Sequence, residues 1–522
     1  MLSTPCLYAQ NLESIGKEKP LTITGGLSLN QIVYAASGIN SRRDPYSYFA
    51  SGNINFNFYG WSVPLSFTLS NQNFSYQQPF NQYGLHPTYK WATAHIGYSS
   101  MSFSPYTLNG HIFSGVGVDL APGDKFKFSA MYGRLLRAVQ PDTIAENPPA
   151  PSFKRMGFGF KARYGDSKYF GEVSLFRAKD DTTSIDYIPE KQGVLPQENL
   201  VMSIGGGVTF FQKLLLKGEF ASSAITRDIR YEESSSKGFH GAFGNLFTPR
   251  ISTSYYKAMK GNLSYTGNGY TVGLGYERVD PEYRTLGAYF FNSDLENITV
   301  NGATALAGGR VNVSANVGTQ RDNLDKSKVS TMRRWVSSLS VGFVPNDKLN
   351  VSANYSNFQT YTNIRSQFVD INQLTPYDNL DTLNFTQITQ NITVNANYAL
   401  GGNEQRRQSL SANVSIMKAA DRQGEVEQNT GSMFYNMNGG YSMSLIPKNL
   451  TLSLMLNWSQ NRSLSVSSST LGPTLSVSKA LFDKKMRLSG ALSMNNTYTD
   501  GSTQSRVYTA RVNTSYSVKR KH

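Results

Sequence analysis

Apolar and polar side chains alternate along most of this chain. In NINFNFYGWSVPLSFTL (53–69), Ile54, Phe56 and Phe58 put the apolar side on even positions; beyond Tyr59-Gly60 the phase slips, and Trp61, Val63, Leu65, Phe67 and Leu69 carry it on odd ones. Period-two alternation makes a strand with two unlike faces, and a slip at a glycine-containing step predicts a tight hairpin. The pattern recurs to the C-terminus, at Ile392 to Leu400, Leu410 to Ile416, Met433 to Leu445, Leu450 to Trp458 and Tyr508 to Val518. No long amphipathic helix interrupts it, and no shift in composition marks a second domain.

The partner of each apolar face identifies its surroundings. The opposite faces carry mostly Asn, Ser, Thr, Gln and Gly, where a soluble sandwich would present Lys, Glu and Arg. Small uncharged polar groups suit a hydrated barrel interior. Aromatic residues near strand ends, among them Tyr48, Tyr164, Tyr265, Tyr270, Tyr276 and Trp458, suit interfacial girdles. Composition agrees: mean hydropathy is −0.37 although 12% of residues are aromatic, and no run approaches the roughly 18 to 20 apolar residues of a spanning helix.

Short turns at 59–60, 121–124, 165–168, 266–269, 307–309, 345–348, 401–405, 446–449 and 482–485 alternate with longer polar segments, including 137–153, 180–198, 225–248, 280–297 and 360–384. Short turns on one side and long loops on the other are the asymmetry of outer-membrane barrels. The expected fold is therefore all-β: a single large antiparallel transmembrane β-barrel of about 22 strands, within a range of about 20 to 24, with both termini and the short turns periplasmic.

Residues 76–111 break the rhythm. One spanning strand at Ala92, Ala94, Ile96 and Tyr98 would reverse the order of every later connection. Either a second strand lies at Met101–Tyr106, or the segment leaves the wall; its Pro, Gly, Asn and Tyr content favours an in-barrel plug anchored by Tyr83, Tyr89, Trp91 and Tyr106.

The stretches FNQYGLHPTYKW, MSFSPYTLNGHIF, SAMYGRL, DPEYRTLGAYFFNSDLENITV, NVGTQRDNLD and SNFQTYTNI resemble those of large, uncharacterised outer-membrane β-barrel proteins of Bacteroidota. The resemblance implies a Gram-negative outer membrane and a barrel over most of the chain, and brings no catalytic residue or ligand with it. No amino-terminal plug domain or TonB box is visible, which argues against an energised transporter.

The first ten residues, MLSTPCLYAQ, resemble the tail of a signal peptide, which leaves the barrel to residues 11–522. Cys6, the only cysteine, is expected to leave with it; Ser3-Thr4-Pro5 before it makes a poor lipobox. The formal charge of +15 is not gathered into a stripe or arm beyond the terminal KRKH, so no nucleic-acid partner is expected.

Candidate chemistry is sparse. His111 and Ser114 point to opposite strand faces, and Ser99 lies roughly 13 Å along the strand from His95, too far for a nucleophile and its base. His86, His95 and His111 lack HxxxH or CxxC spacing, Asp180, Asp181 and Asp186 lack the calcium-loop pattern, and SIGGGVTFF is no phosphate cradle. No enzyme activity, cofactor or metal is therefore expected. The informative charges lie in strands: Arg155, Lys161 and Arg163 oppose Met156, Phe158, Phe160, Ala162 and Tyr164, while Lys125 and Lys127 oppose Phe126 and Phe128, and Glu172 opposes Val173. A lipid-facing cation near the midplane costs about 2–4 kcal/mol, so these six are expected to line the lumen, either as an anion-attracting wall or as paired struts.

Two functions fit. One is a porin-like channel or transporter for polar, including anionic, solutes. The alternative is a structural or assembly barrel whose loops, such as 360–384 with Tyr361, Phe368 and Tyr377, dock surface lipoproteins or a secretion complex. Outer-membrane lipid and lipopolysaccharide are expected partners of either.

Overall fold

The computed structural model describes residues 21–33, 45–71, 81–141, 150–190, 193–234, 246–328, 333–357, 360–362, 386–420, 422–423, 426–427, 432–463 and 467–521. The first ten residues, with Cys6, and most of the 360–384 loop lie outside them. Among the described residues no helix is long and apolar enough to cross a membrane.

Consecutive strands pair antiparallel around the molecule. The first, Thr22–Val33, pairs both with Tyr46–Phe58 and with the last, Ser502–Lys521, so the sheet closes. Its 26 hydrogen-bonded segments occupy 24 wall positions. The reduction arises because Gln82–Leu85 and Thr88–Tyr89 form one interrupted strand, as do Leu349–Ser356 and Thr360–Thr362. The count lies at the upper end of the expected range. Closure gives every strand two partners and removes the edges that would expose unpaired backbone groups.

Every short turn expected from the sequence lies on one rim, joined by tight turns at Lys90-Trp91 and 211–213; both chain ends of the sheet, at Thr22 and Lys521, reach the same rim. The 59–60 hairpin is as expected: Phe58 pairs with Trp61, and Tyr59 and Gly60 both take positive φ, 46° and 81°, whose twist matches that of the flanking strands. The longer connections 137–153, 182–197, 227–252 and 280–294 leave from the opposite rim.

The outward face is an apolar belt. Val116, Tyr132, Ile204, Leu274, Ile298, Leu456, Leu492 and Val512 are all more than half exposed on strands distributed around the barrel. Tyr164, Tyr265 and Tyr270 stand exposed near the turn rim, and Tyr276 and Trp335 near the loop rim. At the loop rim part of this belt is capped from outside: Phe247, from the 227–252 connection, is 1% exposed against Leu175, Leu200 and Ala224.

Residues 76–111 correct the expected plug. Residues 82–89 form a wall strand in continuous register with Trp61–Ser70 on one side and Ala92–Ser102 on the other. Ala92–Ser102 in turn pairs along its length with Asn109–Leu120. The extra strand therefore precedes Ala92 and does not lie at Met101–Tyr106. Pro87 interrupts the ladder: Ala94 N–H donates to Pro87 O at 2.9 Å, but proline has no N–H to return.

Candidate functional site

Among the described residues of the proposed plug segment, 103–108 enter the barrel. There they meet a second inward connection, residues 280–294, which had been expected to be an ordinary external loop. Tyr106 is 1% exposed, its hydroxyl donates to Glu277 Oε1 at 2.7 Å, and its ring packs edge-on to Tyr283. Burial and the Glu277 carboxylate together push the Tyr106 phenol well above the ordinary tyrosine range. Tyr283 donates back to Tyr106 O at 2.8 Å, and Thr285 donates to Thr107 O at 2.7 Å. Gly287 lies so close that a Cβ there would stand 2.6 Å from Thr107 O, which explains glycine at this crossing.

The inner face of the wall beneath these loops carries two apolar clusters. Phe113, Met131, Leu135, Phe176 and Ala178 pack against Met101, Phe103, Leu108 and Leu286; Val201, Ala221, Ala258, Val279 and Leu295 pack against Tyr106 and Tyr283. A hydrophobic core thus fills the loop-rim end of the lumen along the strands between Ala92 and Leu306.

The expected lining charges divide according to this core. Arg155 faces inward but is buried, making a two-pronged contact with Asp180 at 2.7 and 2.8 Å. Lys161 reaches Glu172 at 3.2 Å and donates to Phe103 O at 2.6 Å, fastening the inward loop to the wall. Arg163 lies 3.6 Å from Glu172, its guanidinium over the Phe170 ring. Lys127 is exposed on the inner face opposite Arg163. Lys125 departs from expectation: it lies in the turn before Phe126, with its ammonium 5.8 Å from the ring of outward Tyr169. The strut reading therefore describes Arg155, Lys161, Arg163 and Glu172 better than an open basic wall does.

Of the expected plug anchors only Tyr106 acts as one. Tyr83 points outward, 66% exposed, edge-on to Tyr98. Tyr89 stacks on outward Trp61 at 4.8 Å, and Trp91 is exposed in the tight turn. Alternation over 82–89 carries these rings to the belt.

The other side of the lumen has a different chemistry. From Val311 onward, through closure and on to Ser102, no wall strand contains Asp or Glu. Its inner face carries short uncharged side chains joined across strands: Ser28 to Asn513, Asn413 to Asn395, Ser442 to Ser453, and Asn457 to Thr474. The charges on it are cationic. Arg407 pairs across the ladder with Ser444, Arg487 with Ser515 and Arg511 with Ala491, all on the inward face. Sequence reasoning missed these three arginines, although the acid-free run was visible in the composition of the C-terminal strands.

The histidines are also sorted by the wall. His86 and His95 face each other across neighbouring strands, Nδ1 to Nδ1 at 3.0 Å, whereas His111 lies apart, stacked on Tyr289 at 4.1 Å. Among the described residues no group of three or more His, Cys, Asp or Glu is placed to hold a metal ion.

No family model matches the chain, and no curated protein matches it. Solved structures with a similar architecture include the translocation pore of the P pilus usher, at 11% identity over 96% of this chain and 100% of that one, with a TM-score of 0.37. The ferric enterobactin receptor of Pseudomonas aeruginosa is similar at 12% identity over 95% of this chain and 80% of that one, TM-score 0.45. The outer membrane transporter YddB of Escherichia coli is similar at 8% identity over 95% and 81%, TM-score 0.46. At these identities and scores the functional reading rests on the chain's own residues.

Proposed function

We propose that this chain is a Gram-negative outer-membrane β-barrel that conducts small polar solutes, with a preference for anions, past two inward loops that fill one side of its mouth. The observation that carries this reading is the partition of the inner wall. The side lined by acids also bears the apolar core under residues 103–108 and 280–294, whereas the wall strands of the remaining arc contain no Asp or Glu, carry a polar inner face and are furnished with Arg407, Arg487 and Arg511. Cations on a hydrated wall whose strands hold no Asp or Glu raise the local concentration of anions and hinder cations.

The outward belt supports the membrane setting. A closed barrel satisfies its backbone hydrogen bonds internally, and an apolar exterior with aromatic residues toward both rims matches a bilayer and its two interfaces. The resemblance to Bacteroidota barrels and the periplasmic placement of the short turns belong to the same reading.

Membrane fractionation followed by proteoliposome swelling tests it. The protein is expected in the outer-membrane fraction, migrating faster unboiled than boiled, and to admit gluconate-sized anions faster than neutral sugars of equal size. Recovery as a detergent-independent soluble protein, or liposomes as tight as protein-free ones, overturns it. The second reading, a barrel docking surface lipoproteins or a secretion complex, draws on the filled mouth and the Phe247 cap; stoichiometric copurification together with absent permeation would favour it.

A further inference from the structure

Near the turn rim the inner wall holds a group of side chains that conduction does not use. His86 and His95 are direct cross-strand neighbours, each half-buried on the lumen face. His95 Nε2 lies 2.8 Å from Asp119 Oδ2, and Ser129 Oγ donates to the other oxygen of that carboxylate at 2.5 Å. A carboxylate accepts, so His95 Nε2 carries the proton and its Nδ1 presents a lone pair toward His86 Nδ1. The geometry points to a lumen-facing site for a divalent transition-metal ion, with His86 Nδ1 and His95 Nδ1 as adjacent ligands and Asp119 as the group that fixes the His95 tautomer.

Three features distinguish this arrangement from two histidines that happen to meet. The first is spacing. Two nitrogens each about 2.1 Å from one ion and at a right angle to each other stand about 3.0 Å apart, so the observed 3.0 Å fits adjacent positions of a tetragonal or octahedral ion. The second is the carboxylate on the far nitrogen of His95, the usual outer partner of a metal-bound imidazole, itself oriented by Ser129. The third is access: both histidines line one open cavity together with Gln82 and Ser99, which leaves the remaining coordination positions to water or to a donor carried by a solute. On binding, His86 shifts its proton from Nδ1 to Nε2, so the neutral pair accepts the ion without net proton release. Two imidazoles and water favour copper(II) and nickel(II) over magnesium or calcium.

Copper(II) alone is the probe. Titrated into the folded full-length barrel in detergent, it is expected to bind one ion per chain, with a paramagnetic resonance spectrum split by two imidazole nitrogens. His86→Ala and His95→Ala should each weaken binding at least about tenfold, and Asp119→Asn, which retains both ligands, by about 10- to 100-fold. His111→Ala should change nothing. A spectrum of the unaltered protein without two-nitrogen coupling overturns the site even if a variant fails to fold. So does binding that survives both histidine substitutions; the pair would then be a hydrogen-bonded strut between strands.

Discussion

The Tyr106 hydroxyl donates to Glu277 Oε1 at 2.7 Å, joining residues that stand 171 positions apart in the chain. This bond ties the 103–108 loop to a wall strand on another part of the barrel, and the 280–294 loop closes over it. Tyr106→Phe retains the ring and removes the bond. A hydrogen bond to a charged group is worth about 1.5–3 kcal/mol, so the inward loop should loosen while the barrel stays folded. Single-channel recordings should show larger or more frequent conductance steps than the unaltered protein; identical traces would mean that the loop is held by packing alone.

Arg155 and Asp180 are nearly excluded from water, at 13% and 1% side-chain exposure. Removing one partner of such a pair leaves an uncompensated buried charge, at a cost of about 3–5 kcal/mol. Arg155→Ala should therefore lower the urea midpoint of the detergent-folded barrel clearly while leaving ion selectivity unchanged. A selectivity change without a stability change would place Arg155 in the conduit after all.

Acidification should release the external segment that begins at Asp228. Arg230 donates to both carboxylate oxygens of Asp228, at 2.9 and 2.6 Å, and this holds the Asp228 carboxyl below the usual carboxylate range. Because the folded value is depressed, the contribution is complete above the unfolded value of about 4 and is lost as pH falls through the folded one. Amide protection at Ile229 and Arg230 should therefore drop in acid before the barrel unfolds, and Asp228→Asn should abolish that pH dependence. Protection that persists until global unfolding would contradict this.

The wall was largely legible in the sequence because period two survives burial on only one face. Ile54, Phe56 and Phe58, then Trp61 to Leu69, point outward as their spacing requires, and the hairpin lies at Tyr59-Gly60. Residues 82–89 follow the same rule, with Tyr83, Leu85, Pro87 and Tyr89 on one face and Gln82, Gly84, His86 and Thr88 on the other. Proline and glycine concealed this strand by resembling loop chemistry, although only one ladder bond is lost at Pro87. The inward path of residues 280–294 has no periodicity to reveal it. Its signal was the density of Tyr283, Leu286, Tyr289, Phe290 and Phe291 in a connection that should have been polar. Lys127, Arg155, Lys161, Arg163 and Glu172 stand on the inward face of their strands, and Lys125 lies in a turn. Their pairing depends on registers such as Glu172 with Arg163, which alternation alone does not specify.

Anion preference through the acid-free arc is the central claim, and a reversal-potential measurement across a potassium chloride gradient tests it most directly. The unaltered barrel should reverse on the chloride side of zero, and the double substitution Arg487→Glu and Arg511→Glu should move the potential toward potassium. A potassium-preferring unaltered channel, or a reversal potential that both substitutions leave unmoved, would contradict it.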